Sequence, residues 1–151
     1  MSVFLVRHAK AGDRATWEGP DALRPLTDAG WKQADGLAGL LGTGVDHVLS
    51  SPSVRCMQTI QPLANALGLK VEEHDYLAEG AGAKRALELV RDSDQSALCT
   101  HGDVIGEILE TLSAAGIDLG PELRLKKAST WILELDSNGD VTSGRYLSPP
   151  G

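Results

Sequence analysis

Apolar residues along the chain form two kinds of pattern, short continuous runs and longer stretches with helical spacing. The first continuous run covers residues 3–6, with the sequence Val-Phe-Leu-Val, and predicts a strand of a parallel sheet that is buried on both faces. Later runs predict further strands at residues 46–50, 70–73 and 96–100, and a terminal hairpin of residues 131–135 and 141–146 joined by Asn138-Gly139.

Helical spacing separates these strands, and each helical stretch has recognisable ends. Thr27 is the expected N-cap of a helix that ends near Gly42, because its hydroxyl can accept a hydrogen bond from the first turn. Further helices are expected from Ser51-Pro52-Ser53 to Gly68, over residues 83–90, and from Gly102-Asp103 to about Gly116. Strands that alternate with helices bury a mostly parallel sheet between two helical layers. The pattern therefore predicts a single three-layer α/β/α domain over residues 1–151.

Two stretches lack apolar periodicity and are predicted to be loops. Residues 11–24 are rich in Gly, Asp and Pro, and we expect them to arch over the end of the first strand. Residues 74–82 form a second predicted loop, which contains Glu79. Long loops in compact domains are often functional, so both are candidates for lining a binding site.

Basic side chains follow several of the predicted strands. Arg7 and His8 end the first strand, His101 ends another, and Arg55 lies in the first turn of the helix that follows a third. Ligands of open α/β sheets bind beyond the carboxyl ends of the strands, so we expect these side chains to meet at one sheet edge. Arginine forks and helix N-termini suit a phosphoryl group best, and sulfate or carboxylate less completely. The sequence therefore predicts a local anion pocket.

Composition and charge limit the function classes that this pocket can serve. The chain has 42% hydrophobic and 23% charged residues, as soluble globular proteins do, and a formal net charge of -7. That charge argues against nucleic-acid and anionic-membrane partners, which need an extended basic face. No apolar run has membrane-spanning length and we expect no secretory signal, so the expected location is the cytoplasm. Cys56 and Cys99 lack a CxxC spacing, which predicts two reduced, partly buried thiols.

Three ordered motifs in the chain are typical of one enzyme family. They are Arg7-His8-Ala9, Ser51-Pro52-Ser53-Val54-Arg55 with Gln58-Thr59, and Thr100-His101-Gly102. Together they resemble the histidine phosphatase superfamily, also called phosphoglycerate mutase-like, over nearly the whole chain. Arg24-Pro25-Leu26-Thr27, followed by Gly30 and Gln33, is similar to the SixA-type phosphohistidine phosphatases. Residues 11–15 and 127–131 also resemble the phosphatase domain that follows a Nudix domain in some actinobacterial proteins, although we expect no Nudix domain in this chain.

This resemblance implies a phosphoglycerate mutase-like fold and a two-step phosphoryl transfer without metal or other cofactor. In that scheme His8 attacks phosphorus and becomes a transient phosphohistidine, which water then hydrolyses. Arg7, Arg55 and His101 bind the phosphoryl oxygens and stabilise charge in the transition state. The attacking imidazole must be neutral, and we expect the neighbouring arginines to keep it so. Its other ring nitrogen needs an acceptor, for which a backbone carbonyl is expected.

The resemblance also assigns roles in the two loops. Arg24 matches the arginine that SixA-type proteins place on the phosphate, so it is a predicted substrate-binding residue. Glu79 lies where many family members carry the acid that protonates the leaving group, and the alternative is an ordinary solvated glutamate. Lys10 and Arg14 are candidates from residue type and position alone, apart from the resemblance: they either bind a second phosphate or a substrate carboxylate, or are simply solvated.

Several functional alternatives stay open from the sequence. The substrate is a phosphohistidine protein or a small phosphorylated metabolite, with a nucleoside diphosphate of the Nudix-associated type as an alternative. A module that binds phosphate or sulfate in the pocket without turnover is another. A metal-dependent hydrolase using His8 and His101 as ligands is disfavoured, because Arg7 and Arg55 would repel a cation and no HxH or HExxH spacing accompanies them.

Four further side chains have structural interpretations. Trp31 and Trp131 are interpreted as packing residues. Trp17 is expected to anchor its own loop to the core, and the alternatives are that it stacks on a base or closes the pocket. Asp103 is interpreted as a helix cap, because acidic residues favour helix starts.

Overall fold

A computed structural model, which describes residues 1–150, contains one six-stranded sheet with four helices. The strands are β1 (Ser2–Arg7), β2 (His47–Ser50), β3 (Val71–Glu73), β4 (Ser96–Thr100), β5 (Thr130–Leu135) and β6 (Val141–Leu147). The helices are α1 (Asp28–Leu41), α2 (Val54–Leu67), α3 (Ala83–Arg91) and α4 (Gly102–Ala114). Every strand and helix predicted from the hydrophobic pattern is therefore present, with ends that differ by one or two residues.

The sheet has the strand order β3-β2-β4-β1-β5-β6. Strands β3, β2, β4 and β1 are parallel, whereas β5 and β6 form the predicted antiparallel hairpin. β5 is also antiparallel to β1, so the first strand has a parallel neighbour on one side only. The carboxyl ends of β1, β2 and β4 consequently lie at the same edge of the sheet.

Helices cover both faces of this sheet. The core on one face combines Val6, Val48 and Cys99 of the sheet with side chains of α1 and α2, such as Leu37 and Ile60. On the other face the sheet packs against α3 and α4. This arrangement confirms the predicted three-layer α/β/α fold with a mostly parallel sheet. Among residues 1–150, none of the helices has the length and apolar character that crossing a membrane requires.

The predicted helix ends are largely those of the structure. The Thr27 side chain accepts a hydrogen bond from Gly30 N at 3.1 Å, as expected of an N-cap. Gly68 ends α2 in the left-handed conformation, with φ of 68°. Ser53 is the N-cap residue of α2, but its side chain makes no capping hydrogen bond.

The three tryptophans pack to different extents. Trp131 is completely buried, whereas Trp31 on α1 is 37% exposed and belongs to neither core cluster. Trp17 anchors its loop locally rather than to the core, because its indole N–H donates to Pro20 O at 3.0 Å. Neither of these exposed tryptophans contributes to the interior.

Both predicted loops contain a short 3-10 helix. Asp21–Leu23 forms one within residues 11–24, and Asp75–Leu77 forms the other within residues 74–82. An isolated bridge between Ala11 and Leu26 closes the first loop at its base. The two loops are thereby partly ordered by local hydrogen bonds, and each presents a carboxylate to the sheet edge.

Candidate active site

The sheet edge brings four basic side chains of the sequence prediction together. The rings of His8 and His101 are 5.5 Å apart between centroids and inclined by 66°. Arg55 of α2 lies beside them, with its NH2 atom 3.4 Å from Nδ1 of His101. Arg7 precedes His8 at the end of β1, and the guanidinium of Arg7 reaches the first residue of α4, Gly102. Residues that are far apart in the chain thus form one cluster.

His8 is oriented by its own neighbour in the chain. Its Nδ1 lies 2.9 Å from Ala9 O, and because a carbonyl can only accept, the proton must be on Nδ1. Nε2 therefore carries the free lone pair. Burial lowers the pKa of His8 to about 3, assisted by His101, Arg55 and Arg7, while the Ala9 carbonyl opposes the shift. The imidazole is neutral at physiological pH, mainly because of burial rather than because of the arginines.

The ring of His101 is oriented by a hydrogen bond with Ser51. Ser51 Oγ lies 2.8 Å from His101 Nε2, on the opposite side of the ring from the Arg55 guanidinium. Because a guanidinium can only donate, this arrangement favours a proton on Nε2 that is donated to Ser51. The sequence indicated Ser51 only as part of a helix start, and its contact with His101 was not predicted.

Arg7 passes unusually close to a backbone. A Cβ atom added to Gly102 would come within 2.9 Å of both Cζ and Nε of Arg7. The Arg7 NH1 group donates to Leu125 O at 2.5 Å, whereas its Nε is buried and has no hydrogen-bond partner within residues 1–150. Burial also lowers the pKa of Arg7. An unpaired buried donor of this kind is a point where a ligand oxygen can bind.

Two carboxylates cover the completely buried Arg55. Glu79 Oε2 accepts from its NH2 group at 2.8 Å, and Asp21 Oδ2 lies 3.1 Å from the same nitrogen. The Asp21 carbonyl also accepts from Arg55 NH1 at 2.9 Å. Glu79 is therefore not the ordinary solvated loop glutamate of the sequence alternative. Asp21 was not predicted from the sequence. Its position three residues before Arg24 could have indicated an ion pair with that arginine.

The two loop arginines also contact these carboxylates. Arg24 is 5% exposed and donates from Nε to Asp21 Oδ1 at 3.0 Å and from NH1 to Gly12 O at 2.6 Å. Arg14 is far more exposed and binds Glu79 Oε1 at 3.0 Å. The hydrogen bond that Arg14 donates to Glu79 is the largest cause that holds the pKa of Arg14 above its usual value, and the charges of Glu79 and Asp21 add to it. Arg14 is thus paired within the protein rather than simply solvated.

A cavity of about 540 Å³ opens beside this cluster. Its lining contains Arg7 and His8 together with the predicted substrate-binding residues Arg24, Lys10 and Arg14, and it also contains Lys127. Arg55 and His101 do not line it, because they lie beneath the covering loops. The predicted residues therefore fall into two groups. Arg7, His8, Arg24, Lys10 and Arg14 line an open cationic cavity, whereas Arg55 and His101 lie deeper, where Asp21 and Glu79 cover Arg55.

The remaining motif residues hold the backbone around His8. Thr59 Oγ1 accepts from Ala9 N at 2.9 Å and donates to Arg55 O at 2.6 Å, which ties the two ends of the cluster together. Gln58 Oε1 accepts from Leu26 N at 2.9 Å. Asp103 was predicted to be a helix cap, and this prediction is wrong. Its Oδ2 accepts from Gly80 N at 2.9 Å and so fixes the loop that carries Glu79.

The two cysteines lie under the cluster and are fully rather than partly buried. Cys56 Sγ is 3.6 Å from His101 Nε2, and Cys99 belongs to β4 directly before Thr100. Burial raises the pKa of the Cys99 thiol well above its usual value. Within residues 1–150 no group of three or more His, Cys, Asp or Glu side chains is arranged to hold a metal ion.

Comparisons with known proteins agree with this geometry. The sequence profile of the histidine phosphatase superfamily (branch 1) matches residues 3–86. An 8-oxo-(d)GTP phosphatase of Mycolicibacterium smegmatis is 36% identical over 157 residues, which cover 99% of this chain and 48% of that protein. The chain thus spans about half the length of this curated relative.

Solved structures of similar shape include two SixA proteins. An Agrobacterium tumefaciens protein described as the phosphohistidine phosphatase SixA has a TM-score of 0.74 and 25% identity, with 98% of this chain and 97% of that chain covered. The protein histidine phosphatase SixA in complex with tungstate has a TM-score of 0.72 and 22% identity, with 100% and 97% covered. Fold, family profile and motif order agree, and the chain belongs to the histidine phosphatase superfamily, branch 1.

Proposed function

We propose that this chain is a phosphatase that works without a metal ion and forms a phosphohistidine on His8. The observation that carries the proposal is the state of the His8 ring, whose Nδ1 proton is bound by Ala9 O and whose Nε2 is left as a free nucleophile. Family membership and the phosphatase relatives support the reaction class. The roles of the individual residues are part of the proposal.

In the first step the Nε2 lone pair of His8 forms a bond to phosphorus, and the bond from phosphorus to the leaving group breaks. The leaving group departs with the bonding electron pair and takes a proton, which Glu79 supplies once it is protonated. His8 then carries the phosphoryl group. This use of Glu79 requires its carboxyl group to leave the ion pair with Arg55, because Oε2 is occupied by that guanidinium.

In the second step water attacks phosphorus and the bond from nitrogen to phosphorus breaks, which returns neutral His8 and releases orthophosphate. The Glu79 carboxylate accepts the proton of the attacking water, so the acid of the first step is restored. No oxidant, reductant or second substrate is needed for this sequence.

The surrounding cations are suited to the charge that develops on phosphorus. The Nε atoms of Arg7 and Arg55 are both buried without a hydrogen-bond partner in the part of the chain that the structure describes. Phosphoryl oxygens would satisfy these donors, and stabilisation of this kind is usually the main protein contribution to phosphoryl transfer. We assign Arg7 and Arg55 to the transferred phosphoryl group, and Arg24 to substrate binding. We assign His101 to the same phosphoryl group in the form that also carries a proton on Nδ1, because in the tautomer protonated only on Nε2 the Nδ1 atom faces Arg55 and has no proton to donate to a phosphoryl oxygen.

Two substrate classes have support from different comparisons. The 25% identity to a SixA protein favours a phosphohistidine protein as the substrate. A small phosphorylated metabolite fits the same cavity, which is lined by Arg7, Arg24 and Lys10. The 36% identity to an 8-oxo-(d)GTP phosphatase favours a nucleotide as the second candidate. Because the chain spans about half of that relative, its activity enters here as a proposal only.

The test is phosphate release from para-nitrophenyl phosphate, a phosphohistidine peptide and a nucleoside diphosphate, each with excess chelator. We expect His8→Ala to lower kcat by about a thousandfold or more. Quenching in alkaline denaturant, in which a phosphohistidine is stable, should trap label from a ³²P substrate on the wild-type protein but not on His8→Ala, and the label should be lost in acid. His47→Ala is the matched control, because His47 is an exposed histidine of β2 outside the cluster.

Each contrary outcome supports a different class of protein. Turnover that chelator abolishes would support a metal-dependent hydrolase. Saturable phosphate binding with no turnover of any substrate would support a non-catalytic phosphate-binding module. Turnover that survives His8→Ala would remove the proposed nucleophile.

A further inference from the structure

The turn that carries Lys127 is bonded to the strand end that carries His8. Ala128 N donates to Arg7 O at 3.1 Å and to His8 O at 3.2 Å, and Arg7 N donates to Ser129 O at 3.0 Å. The backbone of residue 127 is therefore fixed relative to the proposed nucleophile. Lys127 itself lines the open cavity beside His8.

This turn holds an unfavourable backbone conformation. Ala128 has a φ of 64°, in the left-handed region, which costs an alanine about 1 kcal/mol or more. Hydrogen bonds from the backbone N and the hydroxyl of Ser129 to Lys126 O close the turn. The Ala128 methyl group is completely buried, so the exposed Lys127 extends from an anchored turn. Strain of this kind persists where the surrounding structure fixes it, and it is typical of functional sites.

The backbone of Lys10, on the same cavity, is fixed from another side. Lys10 N donates to Gln33 Oε1 at 3.0 Å, and Lys10 O accepts from Thr27 N at 3.0 Å. Gly30 permits this approach, because a Cβ atom there would come within 2.0 Å of Lys10 O. The backbone of Lys10 is therefore fixed by Thr27, Gly30 and Gln33, which belong to the part of the sequence that is similar to SixA-type proteins.

The charges of the cavity are only partly balanced within the protein. Arg14 and Arg24 are paired with carboxylates, whereas neither Lys10 nor Lys127 forms an ion pair within residues 1–150. Among the described residues that line the cavity, Asp13 alone carries a carboxylate. Partial burial lowers the pKa of Lys127, and the nearby Arg7, Arg24, Lys10 and Arg14 lower it further. A ligand with more than one anionic group would relieve this repulsion.

We propose that Lys127 and Lys10 form a subsite for a second phosphoryl group, joined through a bridging atom to the one that His8 attacks. The preferred substrates are then molecules that end in two linked phosphoryl groups, rather than simple monophosphates. A compact ammonium group suits a phosphate oxygen as a point charge, and about 540 Å³ is within the usual range of small-molecule pockets. This inference rests on the proposed function, because it takes His8 as the site of the transferred group.

The experiment measures equilibrium binding by calorimetry, so that its result does not depend on turnover. The probes are methylenebisphosphonate, which mimics two linked phosphoryl groups and resists hydrolysis, methylphosphonate, which mimics one, and phosphonoacetate, which pairs one with a carboxylate. The wild-type protein should bind methylenebisphosphonate about tenfold or more tightly than methylphosphonate. Lys127→Gln should lower that ratio by about tenfold.

Lys126→Gln is the matched control. Lys126 is the adjacent exposed lysine and does not line the cavity, so this variant should keep the wild-type ratio. Equal affinity of the wild-type protein for the two phosphonates, or an equal loss of both in Lys127→Gln, would overturn the subsite. Phosphonoacetate binding as tightly as methylenebisphosphonate would overturn the phosphoryl class. Selective binding without any hydrolysis would leave the subsite standing and would reject the proposed phosphatase activity instead.

Discussion

The guanidinium of Arg7 lies against Gly102 at the start of α4, so closely that a Cβ atom would come within 2.9 Å of its Cζ and Nε atoms. The contact is between a side chain of the proposed phosphate site and a backbone position that only glycine leaves open. Gly102 directly follows His101 in the third motif, and this geometry is a physical reason for a glycine there.

Gly102→Ala should therefore displace Arg7 and impair phosphoryl transfer. We expect kcat/KM to fall by about a hundredfold, comparable to the loss of one stabilising group of a transition state. The free energy of unfolding should change by less than about 1 kcal/mol, because the clashing atoms are the far end of a flexible side chain. Activity assays and urea denaturation of the same variant separate the two effects.

Gly106→Ala is the matched control on the same helix. A Cβ atom there would meet only Leu125 Cδ2 at 3.7 Å, an ordinary contact. This variant should keep wild-type activity and gain up to about 1 kcal/mol of stability, because alanine favours a helix interior. Equal activities of Gly102→Ala and the wild-type protein would show that Arg7 does not need its present position.

Asp21 is expected to compete with substrate for the arginines that it orders. In Asp21→Asn one carboxylate is lost from the covering of Arg55, so inorganic phosphate should bind severalfold more tightly. Turnover should fall by about tenfold, because Arg24 and Arg55 lose an ion pair that fixes their geometry. Phosphate binding by calorimetry and steady-state kinetics provide the two readouts.

Glu122→Gln is a suitable comparison for Asp21→Asn. Glu122 pairs with Arg124 on the exposed surface, and its loss should alter neither phosphate affinity nor kcat. Weaker phosphate binding by Asp21→Asn would mean that Asp21 contributes more by positioning the arginines than it costs by competing with the ligand.

The role of Glu79 as a general acid can be separated from its ion pair with Arg55. A general acid matters more for a poor leaving group, so Glu79→Gln should lower kcat for phenyl phosphate by about a hundredfold. For para-nitrophenyl phosphate, whose leaving group needs little protonation, the loss should be about tenfold or less. The ratio of the two substrates is the measurement. A uniform loss for both substrates would indicate that Glu79 only positions Arg55.

The depressed pKa of His8 predicts a dependence of stability on acid. His8 has a pKa of about 3 when folded and about 6.5 when unfolded, so only the unfolded chain binds this proton between those values. Stability should therefore decrease as the pH falls through this window, by about 1.4 kcal/mol per pH unit. His8→Gln lacks this proton and should lose about 2 kcal/mol less than the wild-type protein between pH 6.5 and pH 5.

Urea denaturation at several pH values tests this expectation, and NMR titration of the His8 ring gives an independent reading. In the folded protein the His8 resonances should stay those of a neutral imidazole down to pH 5. Parallel acid dependence of the wild-type protein and His8→Gln, or protonation of the folded His8 near pH 6.5, would contradict it.

Local sequence patterns were sufficient for the elements and for part of the site. The apolar run of β1, the Thr27 cap and the end of α2 at Gly68 each follow from interactions within a few residues, and each was predicted correctly. The convergence of His8 and His101 followed from a general rule, that parallel strands place their carboxyl ends at one edge.

Other features depend on contacts that no local pattern encodes. Asp21 meets Arg55 across 34 positions of sequence, and a loop aspartate has many other possible partners. Lys127 belongs to a segment that the sequence related only to the Nudix-associated phosphatase domain. Its place beside His8 depends on the hydrogen bonds that join Ala128 to the end of β1. The burial of a tryptophan also depends on such contacts: Trp31 and Trp131 were both interpreted as packing residues, yet Trp31 is 37% exposed and Trp131 is completely buried.

The two buried cysteines allow transient opening of the fold to be measured by thiol alkylation. Cys56 and Cys99 are sealed from solvent, and Cys56 touches the ring of His101, so an alkylating reagent must wait until α2 separates from the sheet. The alkylation rate then measures how often the contact between α2 and the sheet opens. The two native thiols serve as the reactive groups, so no label has to be introduced. Because a bound oxyanion would join α2 to the end of β1 through Arg55 and Arg7, phosphate should slow the labelling of both thiols together.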